Sequence, residues 1–427
     1  MGYAETLEYI HSVQWQRGTK PGLGRTRELL AALGNPEKSL KFVHIAGTNG
    51  KGSAAACIAS VLRTAGYRTG LYTSPYILRF NERMQVNGEH ISDDELVGMT
   101  ELIRPIADAM ADPPTEFELI TALAMKYFLK KNVDIVVLEV GMGGELDSTN
   151  VIDTPEVAVI TLIGFDHMSE LGPTLADIAR AKAGIIKDGG DVVIYGGPDE
   201  VEAVFEEVSA KHGARLRRTD FARIKSQRFS LEGVKFDFEP YGGIALPLAG
   251  AYQTKNAALA ITALEVLREK GYHISDGSIT DGLANVRWPG RFEILGRSPV
   301  FILDGAHNPQ GVEATAESLR RHFGDRKIVF VIGVMADKDV ESMIGFIAPL
   351  AGEFIAVRPD YPRAMDVKTL AEKLSRRGVS VTAADTVGKG VGLAIERAGK
   401  DGVVCALGSL YFSGDIRSAY FSFEKEK

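Results

Sequence analysis

Four short apolar runs in the first half of the chain constrain its fold more than any other feature. They are KFVHIAG, VDIVVLEVG, EVAVITLIG and DVVIYGG, which begin at Lys41, Val133, Glu156 and Asp191. Each is rich in β-branched residues and ends near glycine or a polar residue, a pattern typical of buried strands. The helical patterns GSAAACIASVLRTAG, DDELVGMTELIRPIADAM and ADIARAKAGII lie between them. This alternation predicts a parallel sheet with helices on both faces and ligands at the carboxyl ends of its strands.

A second series of alternating patterns follows Gly290. Its strand candidates are VFILDGAHNP, KIVFVIGVMADKD, EFIAVRP, VSVTAAD and GVVCALGSLY. The series has roughly the size of a domain, and the turn RWPGRFEILGRSP before it suits a boundary. A chain of 427 residues is too long for one ordinary core. We therefore predict two domains, residues 1–296 and residues 297–427.

Composition and charge exclude several classes of protein. Hydrophobic residues make up 45% of the chain and charged residues 25%, which describes a soluble globular protein. The formal charge of −7 leaves no basic stripe for nucleic acid. No apolar run could span a bilayer, and MGYAETLEYIHS lacks the basic and apolar regions of a signal peptide. We expect a cytoplasmic monomer that binds neither nucleic acid nor membrane.

Two smaller features agree with that environment. Cys57 and Cys405 lie far apart in apolar surroundings, which predicts reduced thiols in the core rather than a disulfide. The first residues fit the loose pattern for N-myristoylation, but Ala4, Leu7 and Ile10 favour an amphipathic helix.

A glycine-rich loop joins the first strand to the helix that follows it. Its residues are Gly47, Thr48, Asn49, Gly50, Lys51, Gly52 and Ser53. The backbone N–H groups of such a loop and the helix N-terminus converge on one point where an anion is favoured. The common motif G-x-x-x-x-G-K-[ST] is not met, because Ile45 stands at its first glycine and Gly52 follows Lys51. The alternative to a phosphate site is a purely structural turn, but such a turn does not require a lysine. The loop predicts a phosphate site, with Lys51 on the terminal phosphates.

Polar residues at the ends of the next strands predict a magnesium site. Glu139 ends an otherwise apolar strand, where a carboxylate is costly unless it faces a cation or water. Asp166 and His167 follow the next strand at the same edge of the sheet. An isolated histidine is more often structural, but these neighbours favour a role at the metal. Magnesium prefers oxygen ligands and accompanies bound triphosphates.

Nine motifs in order carry a resemblance to a known family. They are AGTNGKGS, TSPYILRFNERM, LEVGMGGELDSTN, GFDHMSELG, AKAGI, GAYQTKNAALAI, WPGRFE, DGAHNP and GSLYFSGDIR. The chain resembles, over nearly its whole length, the folylpolyglutamate synthase and dihydrofolate synthase family of the Mur ligase superfamily. The resemblance implies an α/β fold, with a P-loop ATPase-type, mostly parallel sheet in the N-terminal domain and a smaller Rossmann-like C-terminal domain.

The resemblance also implies the reaction. Such ligases move the γ-phosphate of ATP onto a carboxylate, and an amino group attacks the resulting acyl phosphate to give an amide. The acceptor would be the γ-carboxyl of a folate's glutamate tail or the carboxyl of dihydropteroate, and the amine would be L-glutamate. We expect folylpolyglutamate synthase activity, with dihydrofolate synthase activity in addition. ATP and Mg²⁺, as two ions, are the implied cofactors.

Residues that match the family's motifs in the first domain receive roles from the resemblance. Gly47 to Ser53 would hold the phosphates, and Ser74, Glu139 and His167 would bind magnesium. Lys182 matches a lysine that this family carries as a carbamate, which could bind the second magnesium where an ammonium would repel it. From the residues alone, Lys182 is more typical of a solvated lysine on a helix.

The second part of the chain would complete the site. Asn256, Arg291 and Asp304 match nucleotide contacts, and His307 and Ser409 resemble residues that position the glutamate. Arg291 could also stabilise charge on the transferring phosphoryl group. The alternatives are a helix cap for Asn256, a solvated turn residue for Arg291 and an ordinary turn at a strand end for Asp304. The expected catalytic residues are Lys51, Lys182, Arg291 and His307.

Three segments match the family's pterin side. They are Gly22, Leu23, Gly24 and Arg25; Thr115, Glu116, Phe117 and Glu118; and Leu146, Asp147 and Ser148. Phe117 could stack on a flat ring or serve as a core aromatic residue.

The sequence departs from the family pattern at four positions. Glu145 stands where arginine is usual, Tyr76 and Tyr252 where histidine is frequent, and Ala181 where glutamate is usual. None is a proposed metal or phosphate ligand, but Glu145 bears on the choice of acceptor.

Other functions remain as alternatives. A ligase for cell-wall precursors should lack the pair TSPYI and LDSTN, and a non-catalytic nucleotide-binding regulator should have lost Lys182, Asp304 or His307. A kinase or simple ATPase would not need a second domain with glutamate-binding residues.

Overall fold

The computed structural model describes residues 1–13 and 22–425 and divides the chain into two compact units. The first unit comprises Met1–Arg223 and Asn256–Asn285, and the second comprises Ile224–Lys255 and Val286–Lys427. Both units contain helices and a mainly parallel sheet, which confirms the predicted α/β class.

An eight-stranded sheet in the order β4-β3-β2-β5-β1-β6-β7-β8 organises the first unit. The six neighbouring strands β2, β5, β1, β6, β7 and β8 are parallel to one another. At one edge, β3 pairs antiparallel with β2, and β4 pairs antiparallel with β3. In chain order the strands are β1 (Phe42–Ala46), β2 (Thr69–Tyr72), β3 (Met84–Val86), β4 (Glu89–His90), β5 (Ile135–Glu139), β6 (Val157–Ile160), β7 (Asp191–Ile194) and β8 (Arg215–Arg218). The four strands predicted from the apolar runs are confirmed as β1, β5, β6 and β7.

Helices cover this sheet because its central strands are apolar on both faces. Phe42 of β1 and Val136 of β5 pack in one cluster with helix residues such as Leu119, while the alternate residues Val43 and Ile45 are also fully buried. The helices are α1 (Tyr3–Ser12), α2 (Gly24–Ala32), α3 (Lys51–Thr64), α4 (Asp93–Ala109), α5 (Glu116–Lys130), α6 (Met168–Leu171), α7 (Leu175–Ala183), α8 (Asp199–Lys211), α9 (Gln253–Glu269) and α10 (Asp276–Ala284). The predicted N-terminal helix is present as α1, with Ile10 buried and Ala4 exposed.

The second unit contains two sheets. A three-stranded antiparallel sheet, in the order β11-β10-β9, comprises β9 (Ile224–Ser230), β10 (Gly233–Phe238) and β11 (Tyr241–Leu246). A six-stranded sheet, in the order β12-β13-β17-β14-β15-β16, comprises β12 (Glu293–Arg297), β13 (Val300–Leu303), β14 (Ile328–Ile332), β15 (Ala351–Ala356), β16 (Ser380–Ala383) and β17 (Val403–Leu407). Its strands are parallel except β12, which is antiparallel to β13.

Two helical layers bury the faces of the six-stranded sheet. One core cluster includes Val312, Met343 and Leu370, and the other includes Val391 and Ile416. The helices are α11 (Pro309–Phe323), α12 (Val340–Ile347), α13 (Val367–Ser375), α14 (Val387–Ala398) and α15 (Ser413–Lys425).

The division into units differs from the predicted boundary after residue 296. The segment Ile224–Lys255 groups with the second unit, because several contacts fasten it to α11. The Ala251 N–H donates to Ser318 Oγ at 2.9 Å, His322 Nε2 lies 2.9 Å from the Ala249 carbonyl, and the Arg321 guanidinium lies 4.4 Å from the Phe229 ring centroid. Such contacts join segments that are distant in sequence. One domain boundary along the chain therefore cannot describe the two units.

Two other predictions concern the core and the membrane. Cys57 and Cys405 are both buried and free, which confirms that they form no disulfide. None of the helices in the described ranges is long and apolar enough to cross a membrane.

Candidate active site

The predicted phosphate loop lies between the end of β1 and the start of α3. Gly47 and Gly50 have φ values of +145° and +96°, in the region that favours glycine. A Cβ on Gly47 would lie 1.8 Å from Thr161 Oγ1, and one on Gly50 would lie 2.5 Å from Asn256 Oδ1. Both positions therefore require glycine, for backbone conformation and for space.

The loop after β6 holds the phosphate loop in place. The N–H groups of Thr48 and Asn49 donate to the Leu162 carbonyl at 3.0 and 3.2 Å. Thr48 Oγ1 donates to the Gly164 carbonyl at 3.0 Å and accepts from the Gly164 N–H at 3.1 Å. These bonds fix the backbone of the loop.

The same loop offers the groups that a phosphate requires. Gly50 is the N-cap of α3, no side chain caps this helix, and the N–H groups of a first helical turn have no partner within the helix. Lys51 Nζ donates to the carbonyls of Gly47 and Thr48 at 3.1 and 3.3 Å. Thr161 Oγ1 is buried beside Gly47 without a hydrogen-bond partner among the described residues. The loop thus fits an anion, with a cation close by.

Two of the predicted magnesium ligands, Ser74 after β2 and Glu139 at the end of β5, lie close together. Glu139 is 3% exposed, and its Oε2 accepts from the Ser74 N–H at 3.3 Å. The His167 ring is 40% exposed, and His167 caps α6 with a φ of +50°. Within the described ranges, no three His, Cys, Asp or Glu side chains are grouped as a metal site. The oxygen donors of Ser74 and Glu139 suit magnesium, but nucleotide oxygens and water would have to supply further ligands.

Lys182 on α7 is buried against the phosphate loop. It is 4% exposed, and its Nζ donates to the Gly47 carbonyl at 2.9 Å. Burial is the main reason that its pKa is lowered to about 7, and the nearby charge of Lys51 lowers the pKa further. The prediction from the residues alone, that Lys182 is exposed to solvent, is therefore wrong, because the packing of α7 turns this side chain inward.

Two of the predicted folate-side segments are joined by an ion pair. Arg25 donates from Nε and Nη2 to the Glu118 carboxylate at 2.9 and 2.8 Å, and from Nη1 to Asp112 at 3.3 Å. Glu118 also closes a capping box with Thr115 at the start of α5. Glu116 is buried, with its Oε2 3.4 Å from His11 Nδ1. Gly22, Leu23 and Gly24 form the approach to α2 and its first residue.

Phe117 lies at the border of the core and of the loop that follows β5. Its half-buried ring is 6.0 Å from the Tyr72 ring, and a Cβ on Gly141 would lie 2.5 Å from Phe117 Cζ. Packing against the core agrees with the role of a core aromatic residue, although Phe117 is only partly buried.

The third folate-side segment is fixed from within. Asp147 is buried and accepts hydrogen bonds from the N–H groups of Met142 and Thr149 at 2.9 and 3.0 Å. Ser148 Oγ is 2.7 Å from Thr121 Oγ1. Leu146 is 56% exposed, and the neighbouring Glu145 side chain is exposed as well.

Asn256 belongs to the site of the first unit. It is 5% exposed in α9 and packs against Gly50. Since α9 begins at Gln253, Asn256 is the fourth residue of the helix, so the alternative role as a helix cap is wrong.

Predicted residues of the second unit share the carboxyl edge of its six-stranded sheet. Asp304 and His307 follow β13, and Ser409 follows the adjacent parallel strand β17. His307 Nδ1 lies 2.8 Å from the Gly305 carbonyl, and Ser409 Oγ accepts from the Tyr411 N–H at 3.1 Å. The structure therefore brings these three residues to one end of the sheet.

The Asp304 carboxylate is the centre of a buried polar cluster. Its oxygens accept from Tyr252 Oη at 2.8 Å, the Ala306 N–H at 2.8 Å and the Phe292 N–H at 3.1 Å. Burial raises the pKa of Asp304, and the charge of Arg291 opposes that shift. Arg291 packs so close that a Cβ on Gly305 would lie 2.4 Å from its Nη1. Tyr252, which departs from the family pattern, thus donates to Asp304.

Two functional candidates were missed by sequence reasoning. Thr161 follows β6 directly and adjoins Gly47, so the rule that ligands lie at strand ends could have found it. His44 lies inside β1 and reaches Thr149 through a side-chain hydrogen bond that no sequence pattern indicates.

Comparison with known proteins gives two family matches. Residues 45–264 match the Mur ligase middle domain, and residues 290–410 match the glutamate ligase domain of Mur ligases. A dihydrofolate synthase/folylpolyglutamate synthase from Bacillus subtilis is 40% identical over 428 aligned positions, which cover 97% of this chain and 98% of the relative. A folylpolyglutamate synthase from Lacticaseibacillus casei is 40% identical over 379 positions, with 86% and 87% covered.

Solved structures agree with these relatives. A Mycobacterium tuberculosis folylpolyglutamate synthase complexed with ADP and AMPPCP superimposes with a TM-score of 0.90 and 31% identity, covering 98% of this chain and 99% of that one. Escherichia coli FolC in complex with DHPP and ADP superimposes with a TM-score of 0.87 and 29% identity, covering 99% of both chains.

Proposed function

We propose roles for the site residues from one premise: this chain belongs to the family of folylpolyglutamate synthases and dihydrofolate synthases within the Mur ligases. It is an ATP-dependent carboxylate–amine ligase that adds glutamate to folate. Relatives that carry both names support dihydrofolate synthase activity as well. These relatives do not favour a ligase for cell-wall precursors.

The observation that carries the proposal is the hydrogen-bonded phosphate loop, with Lys51 in it and Lys182 of α7 packed against it. Gly47 to Ser53 hold the phosphates of ATP, with backbone N–H groups as donors. Lys51 Nζ donates to loop carbonyls beside this site and lies within reach of the terminal phosphate oxygens of ATP. Asn256 packs on the same loop and contacts the nucleotide.

Lys51 and Arg291 act on the charge that develops during phosphoryl transfer. An oxygen of the acceptor carboxylate attacks the γ-phosphorus, the bond from phosphorus to the bridging oxygen breaks, and ADP leaves. The amino nitrogen of L-glutamate then attacks the acyl carbon, the carbon–oxygen bond to phosphate breaks, and the nitrogen loses a proton. Activation is needed because a carboxylate oxygen is otherwise a poor leaving group.

Ser74, Glu139 and His167 would hold magnesium, which would supply positive charge to neutralise the phosphates. We assign a carbamate to Lys182, on which the second magnesium depends. The burial of Lys182 against Gly47 supports this modification, because a lysine with a pKa of about 7 is partly neutral near neutral pH. Its neutral nitrogen attacks CO₂, a nitrogen–carbon bond forms, and one proton is released.

The residues of the second unit serve the nucleotide and the amine. His307 and Ser409, at neighbouring strand ends, position the incoming L-glutamate. The carboxylate of Asp304 is engaged by Tyr252 and by backbone N–H groups, which favours a role in fixing Arg291 and the turn before His307.

The acceptor lies against the three folate-side segments. The Arg25–Glu118 pair fixes the first two segments to each other, and the exposed part of the Phe117 ring offers a stacking surface to a flat ring. Leu146 is exposed beside them, and Glu145 supplies negative charge where the family usually has arginine. We expect a cytoplasmic monomer.

ADP release measured with L-glutamate and one acceptor at a time tests this proposal. Tetrahydrofolate and dihydropteroate should each support release. Lys51→Ala should abolish it while unfolding at nearly the same temperature, because Lys51 is the half-buried first residue of α3 and lies outside the apolar core. ADP release that needs neither acceptor would contradict the ligase. Near-normal turnover by Lys51→Ala would contradict the role of Lys51 and the loop before α3.

A further inference from the structure

A buried chain of hydrogen bonds links β1 to the loop that follows β5. His44, fully buried in β1, places Nε2 2.9 Å from Thr149 Oγ1, and Thr149 Oγ1 lies 2.6 Å from Asp147 Oδ1. We propose that His44 is a positioning residue that holds the loop from Gly141 to Thr149 in the conformation that binds the acceptor. This inference rests on the proposed function, because it takes Leu146 to Ser148 as part of the folate side.

The direction of the hydrogen bonds follows from the chemistry of the three groups. Burial raises the pKa of Asp147, whereas hydrogen bonds from the Thr149 hydroxyl and from the N–H groups of Met142 and Thr149 favour its ionised form. As a carboxylate, Asp147 can only accept, so Thr149 uses its single hydroxyl proton toward Oδ1. Thr149 Oγ1 must then accept from His44, which places the proton of a neutral imidazole on Nε2. Burial lowers the pKa of His44 to about 3, so the ring is neutral in the working range. The chain therefore runs from the His44 N–H through Thr149 to Asp147.

The other ring nitrogen of His44, Nδ1, shows that the buried imidazole costs some stability. His44 Nδ1 is buried and has no hydrogen-bond partner among the residues that the structure describes. An unpaired buried acceptor destabilises a protein, and an apolar side chain of similar size would avoid that cost. The contribution of His44 is therefore its single bond to Thr149.

Asp147 connects the hydrogen bond between His44 and Thr149 to the rest of the loop. One oxygen accepts from the Met142 N–H and the other from the Thr149 N–H, so the carboxylate ties the two ends of the loop together. Between these anchors, Ser148 bonds to Thr121. Gly141 packs so closely on Phe117 that a displaced loop would also displace the ring. Loss of the His44 bond should therefore disturb the acceptor site.

The phosphate loop should be insensitive to the same change. Although His44 is three residues before Gly47, backbone hydrogen bonds to β5 and β6 hold β1 on both sides. Removing the imidazole leaves these backbone bonds in place. The inference thus predicts a selective effect on the acceptor.

Steady-state kinetics of His44→Leu and His44→Gln test the inference. The leucine variant should raise the KM for tetrahydrofolate about tenfold, the effect of one lost hydrogen bond, and leave the KM for ATP unchanged. Glutamine can place an amide N–H near the position of Nε2 and should restore most of the loss. Ile45→Val, on the same strand, is the control for general destabilisation and should change neither KM.

Two outcomes would overturn the inference: an unchanged tetrahydrofolate KM in a folded His44→Leu enzyme, or equal increases in both KM values. If His44→Leu does not fold, Thr149→Val removes the same link and must show the same selective effect. A wild-type enzyme that turns over neither acceptor would refute the proposed function. An active wild type with an unmoved acceptor KM in these variants would refute this inference alone.

Discussion

Lys182 illustrates how tertiary packing changes the chemistry of a single residue. In the segment ARAKAGI its charge and position on a helix predict exposure to solvent. In the folded chain it is buried, donates to the Gly47 carbonyl and has a pKa lowered to about 7. The charge and periodicity of the segment contain no signal for this burial, because it depends on which face of α7 meets the phosphate loop; only the family motif indicated a role in the site.

Replacement of Lys182 tests its modification. Lys182→Ala should lose at least about 100-fold in activity without loss of fold, because an anion that completes a metal site would be missing. Small carboxylic acids should restore part of the activity by occupying the vacated position. In the wild type, incubation with ¹³C-labelled bicarbonate should give a carbamate signal by NMR that the variant lacks. A fully active Lys182→Ala enzyme would contradict the assignment.

His44 makes stability depend on pH. Its pKa falls from 6.5 in an unfolded chain to about 3 in the fold because of burial, so the unfolded state binds the proton more readily. The part of the free energy of unfolding that depends on a neutral His44 is therefore fully present above pH 6.5 and is lost as the pH falls toward 3. Between pH 7 and pH 5 the wild type should lose about 2 kcal/mol relative to His44→Leu. Urea unfolding of both proteins at the two pH values measures the difference, and parallel losses would contradict the neutral, buried imidazole.

At the scale of elements, the phosphate loop shows what local sequence can predict. The apolar run, the glycines and the small helix-forming residues correctly predicted β1, the loop and α3. The three-stranded sheet β9 to β11 was not predicted, since IKSQRFS in β9 is polar and mostly exposed and has no buried-strand pattern. Local patterns thus revealed the buried parallel strands and missed strands whose identity depends on pairing.

Gly47 permits a sharp test of the loop. Gly47→Ala should weaken ATP binding at least about tenfold, because a Cβ would lie 1.8 Å from Thr161 Oγ1 and must displace the loop or Thr161. Gly66→Ala is a matched control: Gly66 also has a positive φ, of +95°, but no atom lies within 4 Å of its Cβ position. Titration with a non-hydrolysable ATP analogue measures both variants. Equal affinities would show that the close approach at Gly47 does not matter.

At the scale of the whole molecule, each compact unit is built from two separate stretches of sequence. A reading along the chain predicted one boundary, because composition does not reveal that Ile224–Lys255 packs on α11. The nine ordered motifs nevertheless identified the family correctly, since most of them lie in loops or at element ends where chemistry restricts the residue. The roles of the individual site residues remain predictions.

The fate of one oxygen atom tests carboxylate activation most directly. Tetrahydrofolate labelled with ¹⁸O in its γ-carboxylate should transfer one labelled oxygen to inorganic phosphate for each amide formed with L-glutamate, which mass spectrometry of the released phosphate can count. This result requires that the carboxylate oxygen attacks the γ-phosphorus and later leaves with it. Unlabelled phosphate accompanying stoichiometric amide formation would contradict the acyl phosphate, and with it the central claim that this chain is an ATP-dependent folate ligase of the Mur type.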